Sequence, residues 1–234
     1  MKGQNSIKPI SPALPLFEPK TFNCSISEWV YTDRRRMQQI VPRLYLGPYT
    51  ACRDLDILNQ VGITHILIVR HPGELYILKP KFPDRFTYQI VEVRDEPGEN
   101  IMTYFPAASM FILHALTSGG TVLVHGNSGI SRSPSFVIAY LMECYGMGFA
   151  QSYTHVQNMR FCINPNPGFR QQLREYEPLC RARRQVDELG YTEEQLLCQG
   201  QRRRPLEESD PDITTDRKRS AMAEEEEEEE AMTY

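Results

Sequence analysis

The sequence predicts an α/β fold, with one mostly parallel sheet flanked by helices. One observation behind this prediction is that short apolar, β-branched runs alternate with longer segments whose apolar residues recur at helical spacing. Another is a run of four apolar or β-branched residues, 121–124, followed by small residues at 125–133 and then by a helix-like segment. Because parallel strands are joined by right-handed crossovers, this order places the small-residue turn at the carboxyl end of a strand.

The first half of the predicted domain contains two buried strands. Their residues are apolar and β-branched, which is typical of strands in a parallel sheet, and His65 within one of them is interpreted as a core histidine rather than a ligand. The predicted elements are, in order, a helix at 55–61 ended by Gly62, a strand at 63–69, a loop or short helix at 71–84, and a strand at 86–93.

The second half is predicted to be mostly helical. A helix at 103–116 should face the core with Phe105, Met110, Ile112, Leu113 and Leu116, and the run at 118–120 should end it. The segment 133–145 is apolar almost all round, which indicates a buried helix. Two further helices are predicted at 149–159 and 168–184.

The turn at 125–133, HGNSGISRS, has the features of a site for a dianionic phosphate. A strand, small-residue turn and helix direct backbone N–H groups and the positive end of the helix dipole into one concavity. Gly126 and Gly129 permit a close backbone approach, and the forked guanidinium of Arg132 can hold an oxyanion bidentately. Pro134 falls in the first helical turn, where a missing N–H costs nothing.

This turn resembles the signature loop of cysteine-dependent protein phosphatases, and we call residues 125–133 the signature loop. In that loop a histidine and a cysteine are followed by five residues, an arginine and a serine or threonine. The sequence departs from the pattern at Gly126, which occupies the place of the nucleophilic cysteine. The matching residues are His125, Gly129, Ser131, Arg132 and Ser133.

The resemblance extends from about residue 28 to residue 176, where the chain is similar to dual-specificity phosphatases and especially to a catalytically inactive member. It implies one cysteine-phosphatase-like domain whose first strand lies at 40–47. The segments that carry the closer match are 28–29, 34–38, 46–49, 62–66, 122–133 and 160–166.

By this resemblance the site keeps a phosphate cradle but has no catalytic nucleophile. Asp95 aligns with the general acid, although it could instead cap or hold its loop. Asn166 aligns with an asparagine that supports the signature loop; the alternative is an ordinary turn residue. Ser133 aligns with a hydroxyl that hydrogen-bonds the thiolate or leaving group; the alternative is a helix N-cap. His125 is assigned a supporting role. The expected phosphate-binding residues are Gly126, Asn127, Ser128, Gly129, Ile130, Ser131 and Arg132.

The function that these residues predict is binding of phosphorylated Ser/Thr/Tyr proteins without hydrolysis, which would modulate signalling. The resemblance implies mitogen-activated protein kinases among the partners. Two alternatives stay open: a scaffold that binds through another face, and a hydrolase that uses Ser128 or Ser131 as its nucleophile. The triplet 34–36, Arg-Arg-Arg, is either a solvated surface or an anion-binding patch.

Composition limits the remaining possibilities. The 234 residues, 41% of them hydrophobic, are enough for one sizeable core, and no apolar run approaches the length of a membrane span. The six cysteines show no CxxC pair or metal-ligand spacing, so reduced thiols and no metal or cofactor are expected. We expect a monomer that binds neither nucleic acid nor membrane.

Charge separates the predicted domain from its tails. Residues 22–185 carry 17 Lys/Arg and 13 Asp/Glu, whereas residues 186–234 carry 6 against 16. We therefore predict a disordered, Pro-rich N-terminal segment at 1–27, the domain at 28–185 and a disordered acidic tail at 186–234. Within the tail, basic triplets at 202–204 and 217–219 have the spacing of a bipartite nuclear import signal, so cytoplasmic and nuclear localisation is expected. A run of seven glutamates follows at 224–230.

Overall fold

A computed structural model describes the backbone of residues 29–189 and the side chains of residues 29–186. The predicted N-terminal segment 1–27 lies outside the described residues, as do the basic triplets and the glutamate run of the tail. The helical backbone extends to Leu189, so residues 186–189, predicted to belong to the tail, continue the last helix.

The described chain folds around a mixed five-stranded sheet, which confirms the predicted fold class. Its order is β1-β2-β5-β3-β4, and only the β1–β2 pair is antiparallel. The strand that leads into the signature loop, β5, is therefore central, between β2 and β3. The strands are β1 (Gln38–Val41), β2 (Leu44–Pro48), β3 (His65–Arg70), β4 (Thr87–Glu92) and β5 (Val122–Gly126).

The segment at 40–47, predicted as one strand, is instead a hairpin of β1 and β2. Val41 pairs with Leu44, and Pro42 and Arg43 form the connection. Arg43 has a φ of 64°, the one non-glycine residue of the described chain in the left-handed region. Because Pro42 has no N–H to donate to a strand ladder, Pro42 and Arg43 reverse the chain here. The apolar pattern of residues 40–47 had predicted one continuous strand.

Five α-helices flank the sheet close to their predicted positions. Gly62 ends the first helix with a φ of 76°, as predicted, and the loop at 71–84 contains a short 3-10 helix, Pro72–Glu74. The predicted inward orientation of Met110 is wrong, because its side chain is 61% exposed while neighbouring Ser109 is buried. The helices are α1 (Leu55–Val61), α2 (Phe105–Thr117), α3 (Arg132–Tyr145), α4 (Phe149–Met159) and α5 (Pro167–Leu189).

The two faces of the sheet are covered by different elements. One apolar cluster joins alternate strand residues such as Leu67 and Val124 to helices α2–α5, and the other joins Ile66 and Leu123 to α1 and the loop before β4. All of α3 from Ser133 to Met142 is buried, which confirms the predicted buried helix. This packing fixes the ends of β5 and α3, and therefore the signature loop between them.

Neither a membrane-spanning helix nor a disulfide is found among the residues that the structure describes. No helix among them is long and apolar enough to cross a membrane. Their four cysteines, Cys52, Cys144, Cys162 and Cys180, are free thiols.

Candidate functional site

The signature loop forms a small pocket at the carboxyl end of the central strand. The pocket opens to solvent and is lined by Asp95 and residues 126–133. Because α3 begins at Arg132, the unpaired N–H groups of its first turn and the positive end of its dipole lie at this loop. Gly129 has a φ of 67°, and a Cβ there would lie 2.5 Å from the Gly47 oxygen, so only glycine fits.

Arg132 is held by Glu74, a residue that the sequence did not single out. Its two terminal nitrogens donate to the two Glu74 carboxylate oxygens at 2.7 and 3.3 Å, and the side chains are only 11% and 19% exposed. Asn127 Nδ2 donates to the same carboxylate at 3.0 Å. Burial opposes ionisation of Glu74, but hydrogen bonds from Arg132, His71 and Asn127 outweigh it and lower the pKa of this carboxyl.

Asp95 holds the loop from the opposite side. Its Oδ1 accepts hydrogen bonds from Ser131 Oγ at 2.6 Å and Asn166 Nδ2 at 2.9 Å, and its Oδ2 lies 3.8 Å from Arg132 Nε. The Asn166 amide N–H donates to Ser131 Oγ at 3.1 Å, while Asn166 Oδ1 accepts from the Phe169 amide in the first turn of α5. Asp95 and Asn166 thus connect the signature loop to α5. Asp95 binds Ser131 of the signature loop, and Asn166 both binds that loop and caps the first turn of α5.

Arg160 holds the back of the loop and was also missed as a functional residue. Its guanidinium is fully buried, and none of its partners is a carboxylate. Burial lowers the pKa of this guanidinium from its usual value. It donates five hydrogen bonds, to the carbonyls of Gly129 (2.9 Å), Ser128 (3.1 Å), Arg36 (3.0 Å) and Arg34 (3.0 Å) and to Gln38 Oε1 (2.5 Å).

The Arg-Arg-Arg triplet contributes to the site through its backbone rather than its charges. The carbonyls of Arg34 and Arg36 bind Arg160, and thereby connect the chain before β1 to the signature loop. The Arg35 and Arg36 side chains are exposed, as the solvated-surface interpretation expects.

Comparison with known proteins places this loop in a family. A family model described as dual specificity phosphatase, catalytic domain, matches residues 44–178, more than half of the chain. The chain belongs to the dual-specificity phosphatase family. Serine/threonine/tyrosine-interacting protein of Mus musculus is 49% identical over 158 residues, covering 67% of this chain and 71% of that protein. Serine/threonine/tyrosine-interacting protein A of Xenopus laevis is 44% identical over 174 residues, covering 74% of this chain and 76% of that protein.

Solved structures agree with the assignment to the dual-specificity phosphatases. The crystal structure of human tyrosine phosphatase-like serine/threonine/tyrosine-interacting protein has 49% identity and a TM-score of 0.61, covering 62% of this chain and 97% of that one. The crystal structure of DUSP15 has 35% identity and a TM-score of 0.59, covering 66% and 96%. Homology to the interacting proteins supports an inactive phosphatase.

Within this dual-specificity phosphatase domain, Gly126 lies at the end of β5 with Ser133 beside it. A Cβ built on Gly126 would lie 3.3 Å from Ser133 Oγ and 3.0 Å from the Val69 carbonyl. Ser133 is 1% exposed, and no group in the described part of the chain is a hydrogen-bond partner of its hydroxyl. The N-cap alternative for Ser133 is wrong, because α3 starts at Arg132 and the capping position is Ser131.

His125, the other predicted supporting residue, is neutral and buried beneath the loop. Its ring is 1% exposed, and its Nδ1 lies 3.2 Å from the Gly126 carbonyl. Burial lowers its pKa to about 4, so the imidazole carries no charge near neutral pH.

The structure brings the predicted site residues together and adds Glu74 and Arg160 to them. Among the remaining loop residues, the Asn127 carbonyl accepts from the Tyr49 amide at 3.0 Å, and the Ile130 carbonyl from the Asn164 amide at 2.7 Å. Glu74 follows the carboxyl end of β3, which neighbours β5 in the sheet. Because ligand sites lie at the carboxyl ends of parallel strands, a carboxylate in this position could have been identified as a candidate site residue. No group of His, Cys, Asp or Glu in the described chain is arranged to hold a metal ion.

Proposed function

We propose that this protein is an inactive phosphatase that binds phosphorylated Ser, Thr or Tyr side chains of other proteins without hydrolysing them. The observation that carries the proposal is Gly126, which offers no atom to attack phosphorus in a loop that retains its amides and Arg132. Phosphoryl transfer in this family requires a thiolate at that position, and glycine forms no phosphoenzyme.

Arg132 would contribute to anion binding through the guanidinium edge that Glu74 leaves free, because the Glu74 carboxylate already balances its charge. Glu74 occupies the terminal nitrogens of the guanidinium, which fixes its plane while the edge that carries Nε faces Asp95 and the pocket. A phosphate dianion at that edge would receive charge-assisted hydrogen bonds from Arg132 and from the loop amides. Because bond cleavage does not follow, the complex would persist until the ligand dissociates.

Binding without turnover would modulate signalling by shielding a phosphorylated site, competing with active phosphatases or retaining a partner. The family resemblance makes mitogen-activated protein kinases the partner class that we propose. We further propose that the protein acts in both cytoplasm and nucleus, on the basis of the basic triplets in its tail.

A phosphopeptide titration tests the proposal directly. We expect the wild-type protein to bind a phosphotyrosine peptide and to release no phosphate from it. Arg132→Ala should weaken binding about ten-fold or more, because a charge-assisted hydrogen bond contributes roughly 1.5–3 kcal/mol. Arg181→Ala is the matched control, since that exposed guanidinium lies on α5, away from the signature loop, and pairs with Glu177. Equal affinity of the Arg132 variant and the wild type, or turnover that Arg132→Ala abolishes, would refute it.

A scaffold that binds through another surface is the second candidate. Three consecutive apolar side chains after Glu74 are exposed: Leu75 by 42%, Tyr76 by 81% and Ile77 by 58%. Such a segment favours protein contacts that need no phosphate. Pull-down before and after phosphatase treatment of the partners separates the two functions, because only the scaffold would retain its partners after treatment.

The hydrolase alternative has less support. Ser131 Oγ donates to Asp95 and accepts from the Asn166 amide, so it is already committed to holding the loop. A serine needs an adjacent general base to become a nucleophile, and Asp95 Oδ1 also binds Asn166.

A further inference from the structure

The floor of the signature loop contains a polar group without a partner. Ser133 Oγ is buried, and no donor or acceptor in the described chain contacts it. A hydroxyl offers one donor and two acceptor positions, and buried hydroxyls in native proteins are almost always hydrogen-bonded. Ser133 lines the pocket, so its missing partner can come from a ligand there.

Gly126 places no side chain against this buried hydroxyl. The nearest side-chain atom to a Cβ built at position 126 is Ser133 Oγ, at 3.3 Å. A larger residue at 126 would place its Cβ against this hydroxyl, whereas glycine has no atom there.

The same substitution changes the electrostatics of the floor. A thiolate at position 126 would place a negative charge against a bound dianion, and like charges in a partly buried pocket repel strongly. Here the floor carries a neutral hydroxyl donor instead. The two carboxylates at the rim are each engaged, Glu74 by Arg132 and Asn127, and Asp95 by Ser131 and Asn166.

We propose that Ser133 donates a hydrogen bond to the phosphoryl group of the ligand, whose oxygen reaches the buried hydroxyl through the position that a Cβ on residue 126 would occupy. The inference rests on the proposed function and names a specific binding contact within it. The phosphoryl oxygen accepts from Ser133 Oγ while Arg132 and the loop amides bind the remaining oxygens. The pocket is thereby specialised for retaining a phosphate monoester rather than for attacking it.

Two substitutions at the floor test the proposal, with phenyl phosphate and inorganic phosphate as probes and isothermal titration as the measurement. Ser133→Ala should weaken both probes about ten-fold, because it removes a hydrogen bond to a charged acceptor. Ser133→Thr, which keeps the hydroxyl, should retain most of the affinity. Gly126→Ala should also weaken binding, since its methyl group would occupy the position 3.3 Å from Ser133 Oγ through which the ligand oxygen is proposed to reach the hydroxyl. The Gly126→Ala/Ser133→Ala double variant should lose little more than either alone.

Ser152→Ala is the matched control. Its hydroxyl is likewise buried and has no partner among residues 29–186, but it lies on α4 and does not line the pocket. Thermal unfolding of each variant identifies any loss of binding that arises from misfolding, and Gly126→Ala leaves Ser133 in place as an independent measurement. If wild type binds both probes and the folded Ser133→Ala and Gly126→Ala variants bind them equally well, the Ser133 contact is refuted while the proposed function stands. If wild type binds neither probe, the proposed function fails, and this inference with it.

Discussion

Replacing Arg160 by methionine would remove the group that connects the signature loop to the chain before β1. The side chain is 0% exposed, and its three nitrogens donate five hydrogen bonds, four of them to backbone carbonyls. Methionine has a similar length but no donor, so the buried Gly129 carbonyl and the four partly buried acceptors would lose their hydrogen bonds. Hydrogen bonds to a charged group contribute roughly 1.5–3 kcal/mol each, and water can replace part of this at the four partly buried acceptors, so the total cost should be about 3–5 kcal/mol. We expect the Arg160→Met variant to lose stability within that range.

Equilibrium unfolding in urea measures the loss. Arg181→Met is the matched control, because its guanidinium is 73% exposed and its removal should change the unfolding free energy by less than about 0.5 kcal/mol. Arg160→Lys, which keeps the charge but has fewer donors, should fall between Arg160→Met and wild type. A loss below about 1 kcal/mol for Arg160→Met would refute the reasoning, since the orphaned carbonyls would then have found other partners.

Three further predictions concern the loop and the tail. Gly126→Cys should hydrolyse an aryl phosphate, because the loop would stabilise a thiolate at position 126. The double variant Gly126→Cys/Asp95→Asn should be slower if Asp95 supplies the proton to the leaving group. If the single variant folds and binds phosphate but is inactive, more than the nucleophile is missing. Burial in the fold lowers the pKa of His125 from 6.5 to about 4. Between pH 4 and 6.5, the unfolded chain therefore binds a proton at this histidine that the folded protein does not bind. The free energy of unfolding should fall by up to roughly 3 kcal/mol as the pH drops from 6.5 to 4. Urea unfolding at pH 7 and pH 4.5 should show a smaller fall for His125→Asn, and identical falls would contradict the assignment to His125. Fusing residues 200–220 to a cytosolic reporter should direct it to the nucleus, and alanines at 217–219 should abolish this; an evenly distributed reporter would exclude the import signal.

The elements that the sequence predicted well are those whose signal is local. Apolar runs identified β3 and the strand before the signature loop, and a glycine in the left-handed region ended α1 where the pattern placed its end. The buried helix α3 was predictable because it is apolar on every side. In each case the residues that decide the structure are neighbours along the chain.

The sequence was less informative where distant residues decide the structure. Glu74 binds Arg132 across 58 positions and Arg160 binds the Arg34 carbonyl across 126, and no spacing rule relates such pairs. The hairpin at Pro42 was hidden because its two strands share one apolar pattern. Met110 was misplaced because Ser109, a small polar residue, takes the core position beside it.

The central place of β5 in the sheet has a consequence for biosynthesis. Strands β1 to β4 leave the ribosome first, yet β2 and β3 have no contact with one another in the sheet until residues 122–126 pair with both. Until then each presents an open edge, the kind of surface that pairs with other chains and aggregates. A nascent chain that stops before residue 122 would therefore be a target for chaperones. The strand that leads into the signature loop is also the one whose pairing removes both open edges.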